Sequence, residues 1–139
     1  MKREIIITDD GSTTIYIPDW NEQYHSKHGA IQEAYHVFIN AGLEYFLTQL
    51  QPKPLKILEI GFGTGLNAFI TLLEADKNKI PINFTGVEAY PISSSEIEKL
   101  NYPLQLNSSD EYFKKLHQGK WEQQISISDH FSILKRMQF

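Results

Sequence analysis

The sequence predicts an α/β fold with a parallel sheet, and three consecutive features indicate it. Leu55–Ile60 is an apolar run without alternation, which is typical of a strand buried on both faces of a parallel sheet. The glycine-rich loop Gly61–Gly65 follows, and it leads into Leu66–Ala75, where apolar residues recur at helical spacing. A second apolar run, Ile80–Val87, predicts the next strand. Strand, loop, helix and strand in this order predict a right-handed parallel crossover.

The N-terminal segment predicts a β-hairpin. Two runs rich in β-branched residues, Glu4–Thr8 and Thr13–Ile17, flank an Asp-Gly pair at positions 10 and 11. Asp-Gly between such runs favours a tight hairpin turn. The polar and aromatic stretch Pro18–Lys27 then predicts a loop.

A helix is predicted from about Gly29 to Leu50, where Pro52 and Pro54 follow and end it. We expect residues 1–50 to belong to the same domain as residues 51–139, which carry the glycine loop. The apolar residues of the helix fall on one stripe at helical spacing. They are Ile31, Ala34, Tyr35, Phe38, Ile39, Gly42, Leu43 and Phe46.

The remaining elements are shorter. Ser93–Leu100 and Asp110–His117 are predicted to be short helices, and Gln124–Lys135 is β-like.

Composition narrows the function classes. The 139 residues suggest one domain, and 41% hydrophobic with 22% charged residues is typical of a globular protein. A net charge of −4 gives no basic surplus of the kind that phosphate-gripping proteins show. The sequence has no cysteine, no signal-peptide pattern and no apolar stretch of membrane-spanning length, so we expect a cytoplasmic protein without membrane contact.

The glycine loop carries the predicted chemistry. Gly61, Gly63 and Gly65 alternate between a strand and a helix, so that a ligand can lie on bare backbone near the free N–H groups of the helix. The dinucleotide-binding pattern requires a third glycine where Leu66 stands, and the Gly-Lys-Ser/Thr of a P-loop is absent. The remaining pattern, Glu-x-Gly-x-Gly-x-Gly from Glu59, resembles motif I of class I methyltransferases that use S-adenosylmethionine. A glycine-rich turn of another α/β protein is the alternative.

An acidic residue closes the second strand. Glu88 lies about 20 residues beyond the glycine loop, where a carboxylate can accept hydrogen bonds from both ribose hydroxyls. An exposed glutamate at a strand end is the plain alternative. If the ribose lies at Glu88, the adenine is expected against Ala89 and Tyr90.

Several strings in order resemble a family, the MnmC-like (MnmD-type) tRNA methyltransferases, over almost the whole chain. They are Asp9-Asp10-Gly11-Ser12, Tyr24-His25-Ser26, His28-Gly29-Ala30 with Glu33, Val37-Phe38, Gly61 to Asn67, and Val87 to Pro91. The resemblance implies a Rossmann-like class I methyltransferase fold that carries an N-terminal hairpin and helix. It implies methylation of the aminomethyl nitrogen of 5-aminomethyl-2-thiouridine in tRNA, with S-adenosylmethionine as cofactor.

The resemblance also implies site residues. The positions that match the cofactor motifs are Glu59, Gly61, Phe62, Gly63, Thr64, Gly65, Asn67 and Glu88, to which the ribose and adenine argument adds Ala89 and Tyr90. Tyr24, His28 and Glu33 fall in a segment that lies near the cofactor in such enzymes and are plausible pocket residues.

One family motif is missing. The resemblance implies an Asp-Ala-Phe-x-Pro-like motif after the fourth strand, with its aspartate at the amine to be methylated, and residues 1–139 contain none. The catalytic residue therefore stays unassigned. We expect an incomplete sheet in which Leu55–Ile60 exposes one edge and part of its apolar faces, and no methyl transfer by this chain alone. A non-catalytic remnant that at most binds S-adenosylmethionine, and a nucleotide-binding oxidoreductase domain, stay open as alternatives.

Other clusters have simpler explanations. His25 and His28, three residues apart with Glu22 nearby, could suggest a metal site, but no residue is a clear third ligand and no metal site is predicted. The aromatic residues of the first helix have core spacing rather than the exposure needed for stacking on bases. Lys114, Lys115 and Lys120 form a mild basic cluster, which is typical of a solvated face.

Overall fold

A computed structural model describes residues 2–49 and 54–139 and confirms the α/β fold. Its first sheet has three antiparallel strands in the order β1-β2-β3, and its second has four strands in the order β4-β5-β7-β6. The strands of the first sheet are β1 (Glu4–Ile7), β2 (Thr13–Ile17) and β3 (Glu22–Gln23). Those of the second are β4 (Leu55–Ile60), β5 (Ile82–Glu88), β6 (Gln124–Ser128) and β7 (Phe131–Met137).

The helices lie between these strands. The first helical stretch consists of α1 (Ala30–Ala34), a π-helical segment (Tyr35–Glu44) and α2 (Tyr45–Gln49). The others are α3 (Leu66–Asn78), α4 (Ser94–Glu98), α5 (Tyr102–Gln105) and α6 (Glu111–Gln118). None of the helices in the described residues is long and apolar enough to cross a membrane.

The N-terminal hairpin is confirmed. β1 and β2 pair with Ile5 opposite Ile15, and the turn between them is closed by the Asp10 carboxylate, which accepts from the Ser12 N–H at 3.0 Å. The stretch 18–27 is not all loop, because Pro18–Trp20 forms a 3₁₀ turn and β3 pairs with β2. The hairpin also reaches the rest of the chain, where the Thr13 N–H donates to Asn101 Oδ1 at 2.9 Å.

The first helix is present but is not uniformly α-helical. Because a π-helix bonds i to i+5, its winding shifts the buried stripe away from the α-helical positions. The buried residues Ala34 and Ile39 are five apart, and Leu43 follows. Phe46, predicted to lie on the stripe, is 38% exposed. The predicted end of the helix at Leu50 and Pro52 lies outside the described residues.

Parallel pairing of β4 with β5 is confirmed, with Glu59 opposite Gly86. The apolar run of β4 does not bury both faces, since Leu58 is 65% and Ile60 77% exposed, whereas the expectation drawn from the incomplete sheet, that this strand exposes part of its apolar faces, is confirmed. Within the described residues β4 is the edge strand, as the family resemblance implied, and nothing packs over these two side chains. The opposite face holds the core, where Phe84 contacts Phe38 and Phe131 at ring distances of 6.2 and 5.8 Å.

The C-terminal part follows the prediction with two changes. The β-like segment is two antiparallel strands, β6 and β7, and β7 pairs in parallel with β5. Helix α5, which contains Pro103, was not predicted. That proline lies in the first turn, where its missing N–H costs no helical hydrogen bond.

Truncating a side chain to alanine should have different effects on the two faces of the second sheet. Phe84→Ala should lower the free energy of unfolding by about 3–5 kcal/mol, because it leaves a cavity in the core. Leu58→Ala, on the open face, should change it by no more than about 0.5 kcal/mol. Urea unfolding followed by circular dichroism measures both, and equal losses would show that the open face is covered in solution.

Candidate functional site

The loop Gly61–Gly65 forms the floor of the candidate site. All three of its glycines have positive φ, with values of 86° at Gly61, 58° at Gly63 and 79° at Gly65. A Cβ built on Gly61 would meet no atom within 4 Å, so this residue presents bare backbone to open space. A Cβ on Gly63 would lie 3.2 Å from the Tyr24 ring, which packs on the loop from the N-terminal side. The loop can therefore accept a ligand directly against its backbone.

A cavity of about 670 Å³ lies over the loop, between β3, the first helix and the ends of β4 and β5. Most of the residues singled out in the sequence line it. Of the predicted positions, Gly65, Ala89 and His28 do not line this cavity. Those that line it are Tyr24, Glu33, Glu59, Gly61, Phe62, Gly63, Thr64, Asn67, Glu88 and Tyr90.

Glu59 and Asn67 form a buried polar pair in the cavity wall. Glu59 lies near the end of β4 and is 9% exposed. Its Oε2 accepts from the Asn67 amide at 2.7 Å. Glu59 Oε1 and Asn67 Oδ1 are buried and have no hydrogen-bond partner among the described residues. Two buried polar atoms without a partner are costly unless a hydrogen-bond partner reaches them, so the pair, with Glu59 ionised, is suited to a ligand ammonium group.

Glu88 is fixed at the end of β5, next to the loop. Its Oε1 accepts from the Gly63 N–H at 2.7 Å, and its Oε2 accepts from Ala89 and Tyr90 N–H groups at 3.1 and 3.2 Å. Oε1 retains a free lone pair, because a carboxylate oxygen accepts about two hydrogen bonds and Oε1 accepts one, whereas Oε2 already accepts two. Oε1 can therefore also accept from a ligand hydroxyl while the backbone bonds hold the carboxylate in place.

Two residues that the sequence analysis did not single out hold Thr64 in the middle of the loop. The Tyr102 hydroxyl donates to Thr64 Oγ1 at 3.1 Å, and His117 Nε2 donates to the Thr64 carbonyl at 2.8 Å. Burial lowers the pKa of His117 to about 4, so the ring is neutral near pH 7 and carries its proton on Nε2. The pattern around His117 predicted only a helix, and no spacing in the sequence connects it to a loop 53 residues away.

Lys135 is buried behind the loop. It is 2% exposed, its Nζ donates to the His117 carbonyl at 2.9 Å and lies 5.0 Å from the centre of the Trp121 ring. Burial lowers the pKa of Lys135 to about 8. The amine thus supports the end of α6, and through it the His117 ring that contacts the loop.

The acidic side chains in the cavity lining are not balanced by basic ones. Four carboxylates line it, from Glu22, Glu33, Glu59 and Glu88, and its lining includes no lysine or arginine. The histidine in the lining, His25, is bonded to Thr14 Oγ1 at 2.7 Å, and burial lowers its pKa to about 4. The cavity therefore attracts cations and repels phosphate groups.

The metal alternative receives no support from the geometry. His28 is largely exposed and lies 3.4 Å from an Asp9 oxygen, while His25 bonds Thr14. In residues 2–49 and 54–139, no three side chains of the His, Cys, Asp and Glu types come together in a way that could hold a metal ion.

The fold and the site define a Rossmann-like α/β protein with a ligand cavity over its glycine loop. The bifunctional protein MnmC of tRNA 5-methylaminomethyl-2-thiouridine biosynthesis from Acidovorax sp. is 35% identical over 101 residues, which cover 70% of this chain. The same protein from Cupriavidus metallidurans is 30% identical over 109 residues, and that from Leptospira borgpetersenii is 37% identical over 84. The chain belongs to the MnmC-like family.

The chain spans only a small part of each of these relatives. The chain spans about 15% of the length of the Acidovorax and Cupriavidus proteins and 13% of the Leptospira protein.

The crystal structure of MNMC2 from Aquifex aeolicus superposes with a TM-score of 0.73 over 99% of this chain and 43% of that chain, at 22% identity, which shows a shared fold. No family model matches the chain.

Glu59 should make stability depend on pH. Burial, and to a smaller extent the charge of Glu88, raises the pKa of Glu59 from 4.5 to about 7, against a lowering by the Asn67 amide. The folded state then binds the Glu59 proton more tightly than the unfolded chain does. This group's contribution to the free energy of unfolding therefore falls as pH rises from about 4.5 to about 7 and is constant above that. Glu59→Gln should remove this fall.

Urea unfolding at a series of pH values measures this contribution. Glu98→Gln, a change at an exposed glutamate outside the cavity, is the matched control and should keep the wild-type slope. A Glu59→Gln profile parallel to that of the wild type would contradict the assignment of a protonated, buried Glu59.

Proposed function

We propose that this chain binds S-adenosylmethionine and serves methyl transfer to the aminomethyl nitrogen of 5-aminomethyl-2-thiouridine in tRNA. The observation that carries the proposal is the buried pair of Glu59 and Asn67, with two unpaired acceptor oxygens beside an open glycine loop. The names of the relatives support the substrate, because they refer to biosynthesis of tRNA 5-methylaminomethyl-2-thiouridine. That product differs from the proposed substrate by one methyl group on the nitrogen.

The residues present fit the cofactor. The ammonium of its methionine part would donate to Glu59 Oε1 and Asn67 Oδ1, which no other group satisfies among the described residues. The loop at Gly61 leaves room for the chain that follows. Glu88 Oε1 would accept from a ribose hydroxyl at the end of β5, with Tyr90 beside it on the cavity wall.

Cavity charge separates this cofactor from a nicotinamide dinucleotide. S-Adenosylmethionine carries two positive charges, on sulfur and nitrogen, and no phosphate. A dinucleotide would place its pyrophosphate among four carboxylates with no lysine or arginine in the lining to offset the repulsion. The oxidoreductase alternative is therefore disfavoured on charge as well as on the position of the third glycine.

The reaction needs a free lone pair on the amine. When bound, the cofactor would supply an electrophilic methyl group to the nitrogen and would leave as S-adenosylhomocysteine. The cationic arm would first lose one proton to free its lone pair, and the methylated nitrogen would then carry the positive charge. The described residues contribute by fixing the cofactor through Glu59, Asn67 and Glu88. They also present an anionic cavity to a substrate arm that is cationic before it reacts.

Calorimetry tests the cofactor. S-Adenosylmethionine and S-adenosylhomocysteine should bind the wild-type chain, and NAD should not. Glu88→Gln should weaken binding by about 1–3 kcal/mol, because a neutral amide loses the charge-assisted bonds to the ribose. Glu98→Gln, outside the cavity, should bind like the wild type. Binding of NAD without a response to S-adenosylmethionine would reject the proposal. Transfer of labelled methyl to tRNA bearing 5-aminomethyl-2-thiouridine tests the second half separately.

Cofactor binding should also release a proton. Because the free site holds Glu59 with its pKa raised to about 7, pairing with a ligand ammonium would ionise it. Binding near pH 6 should therefore release a fraction of a proton, seen as a dependence of the calorimetric enthalpy on the ionisation enthalpy of the buffer. Affinity should rise as pH increases from about 5 to about 7. Glu59→Gln should abolish the release, and an unchanged release in that variant would place the proton elsewhere.

A further inference from the structure

The rim of the cavity exposes large apolar side chains from three separate elements. Trp20 is 59% exposed, Val37 59% and Tyr90 57%, and all three line the cavity. Exposing a large apolar side chain such as an indole to water is unfavourable. Three exposed apolar side chains around one opening form a surface on which a flat ring can pack. The proposed fit of the cofactor uses the loop, Glu59, Asn67, Glu88 and Tyr90, and it leaves Trp20 and Val37 without a role.

Trp20 is held on a well-fixed turn. Pro18 opens the 3₁₀ turn, and the Asn21 N–H closes it onto the Pro18 carbonyl at 3.2 Å. Asn21 adopts φ of 50°, and its Oδ1 accepts from the Tyr16 hydroxyl at 2.9 Å. β3 then pairs directly with β2. The indole therefore stands at the opening on a backbone whose position is already set, and stacking would require little further ordering of the turn.

A free carboxylate lies two residues beyond the indole. Glu22 is exposed and lines the same cavity, and no hydrogen bond or ion pair engages its carboxylate within the described part of the chain. An aromatic face followed by an unpaired anion matches a planar ring that carries a positively charged arm.

We propose that Trp20 stacks on the target nucleobase and that Glu22 receives its cationic aminomethyl arm as the arm enters the cavity. This inference rests on the proposed function and adds the site that selects the base. A nucleobase suits the opening because the ring is flat and uncharged, while the anionic lining keeps the phosphates of the RNA outside. Trp20 and Glu22 act as specificity-determining residues, and the cofactor site does not depend on them.

The sequence contains two tryptophans, which makes the test direct. In Trp121→Phe the remaining indole is Trp20, and in Trp20→Phe it is Trp121. Each variant, with S-adenosylhomocysteine bound, is titrated with the nucleosides 5-aminomethyluridine and 5-methyluridine, which differ in the charged arm. Trp121→Phe should show saturable quenching by 5-aminomethyluridine and weaker quenching by 5-methyluridine, whereas Trp20→Phe should show none.

Two further variants separate stacking from charge. Trp20→Leu should weaken binding of 5-aminomethyluridine in calorimetry by about five-fold or more, whereas Trp20→Phe, which keeps a ring, should lose less. Glu22→Gln should remove the preference for the charged arm and leave 5-methyluridine unaffected. Because both side chains are exposed, the thermal midpoint should match the wild type in all three variants, and the affinity for S-adenosylhomocysteine should match it in both Trp20 variants.

The outcomes distinguish this inference from the proposed function. If S-adenosylhomocysteine binds but neither nucleoside quenches Trp20, the stacking site is wrong and the cofactor assignment stands. If S-adenosylhomocysteine does not bind, the proposed function fails, and the inference that depends on it fails as well. Stronger quenching by N-acetylarginine methylamide than by 5-aminomethyluridine would overturn the nucleobase in favour of a peptide arginine.

Discussion

The end of β5 determines the shape of the glycine loop. The Val87 carbonyl accepts from the Gly61 and Phe62 N–H groups at 2.8 and 3.0 Å, and the Glu88 carboxylate accepts from Gly63. The Phe62 ring packs over Gly86, where a Cβ would lie only 3.0 Å from it. One strand end thus holds three consecutive loop residues. The parallel pairing of β4 with β5 is what brings that strand end beside the loop.

Glu59 and Lys135 occupy the same row of the sheet as Gly86, on β4 and β7 respectively. Both are buried ionisable groups, and neither has an oppositely charged partner among the described side chains. Burial shifts their pKa values in opposite directions, since it disfavours the charged form of each. Lys135 keeps a carbonyl acceptor and an aromatic face. Glu59 retains an oxygen without a partner among the described residues, and it lines the cavity. Of these two residues, Glu59 is therefore the one with an atom available to a ligand.

Local patterns account for the parts of the fold that could be predicted. Apolar spacing and the Asp-Gly turn predicted the hairpin, the parallel strands and α3, and the alternation of glycines predicted the loop. The apolar run of β4 alone predicted burial on both faces, and only the missing family motif, which implied an incomplete sheet, predicted the exposure seen at Leu58 and Ile60. Spacing also assumed α-helical winding, and the π-helical segment therefore placed Phe46 outside the buried stripe.

The candidate site, like the fold, could be predicted only where local sequence patterns define it. Glu59, Asn67 and Glu88 could be singled out because they lie in or next to the strands and loop that the motifs define. Tyr102, His117 and Lys135 come from helices and a strand far along the chain. Tyr102 bonds the Thr64 side chain, His117 bonds the Thr64 carbonyl, and Lys135 bonds the His117 carbonyl. Such contacts depend on tertiary packing, which leaves no short-range pattern in the sequence.

The cavity has walls from two sheets whose assembly requires contacts of very different range. The hairpin of β1 and β2 is local, and such hairpins close within about 1–10 μs. The parallel pairs β4 with β5 and β5 with β7 join segments separated by whole helices, and chain closure makes such pairing slower. Tyr24 can pack on Gly63 only after both sheets exist, so the ligand site is completed late in folding. A ligand that binds this completed site would then slow unfolding more than it speeds folding, and its presence would lengthen the lifetime of the folded chain.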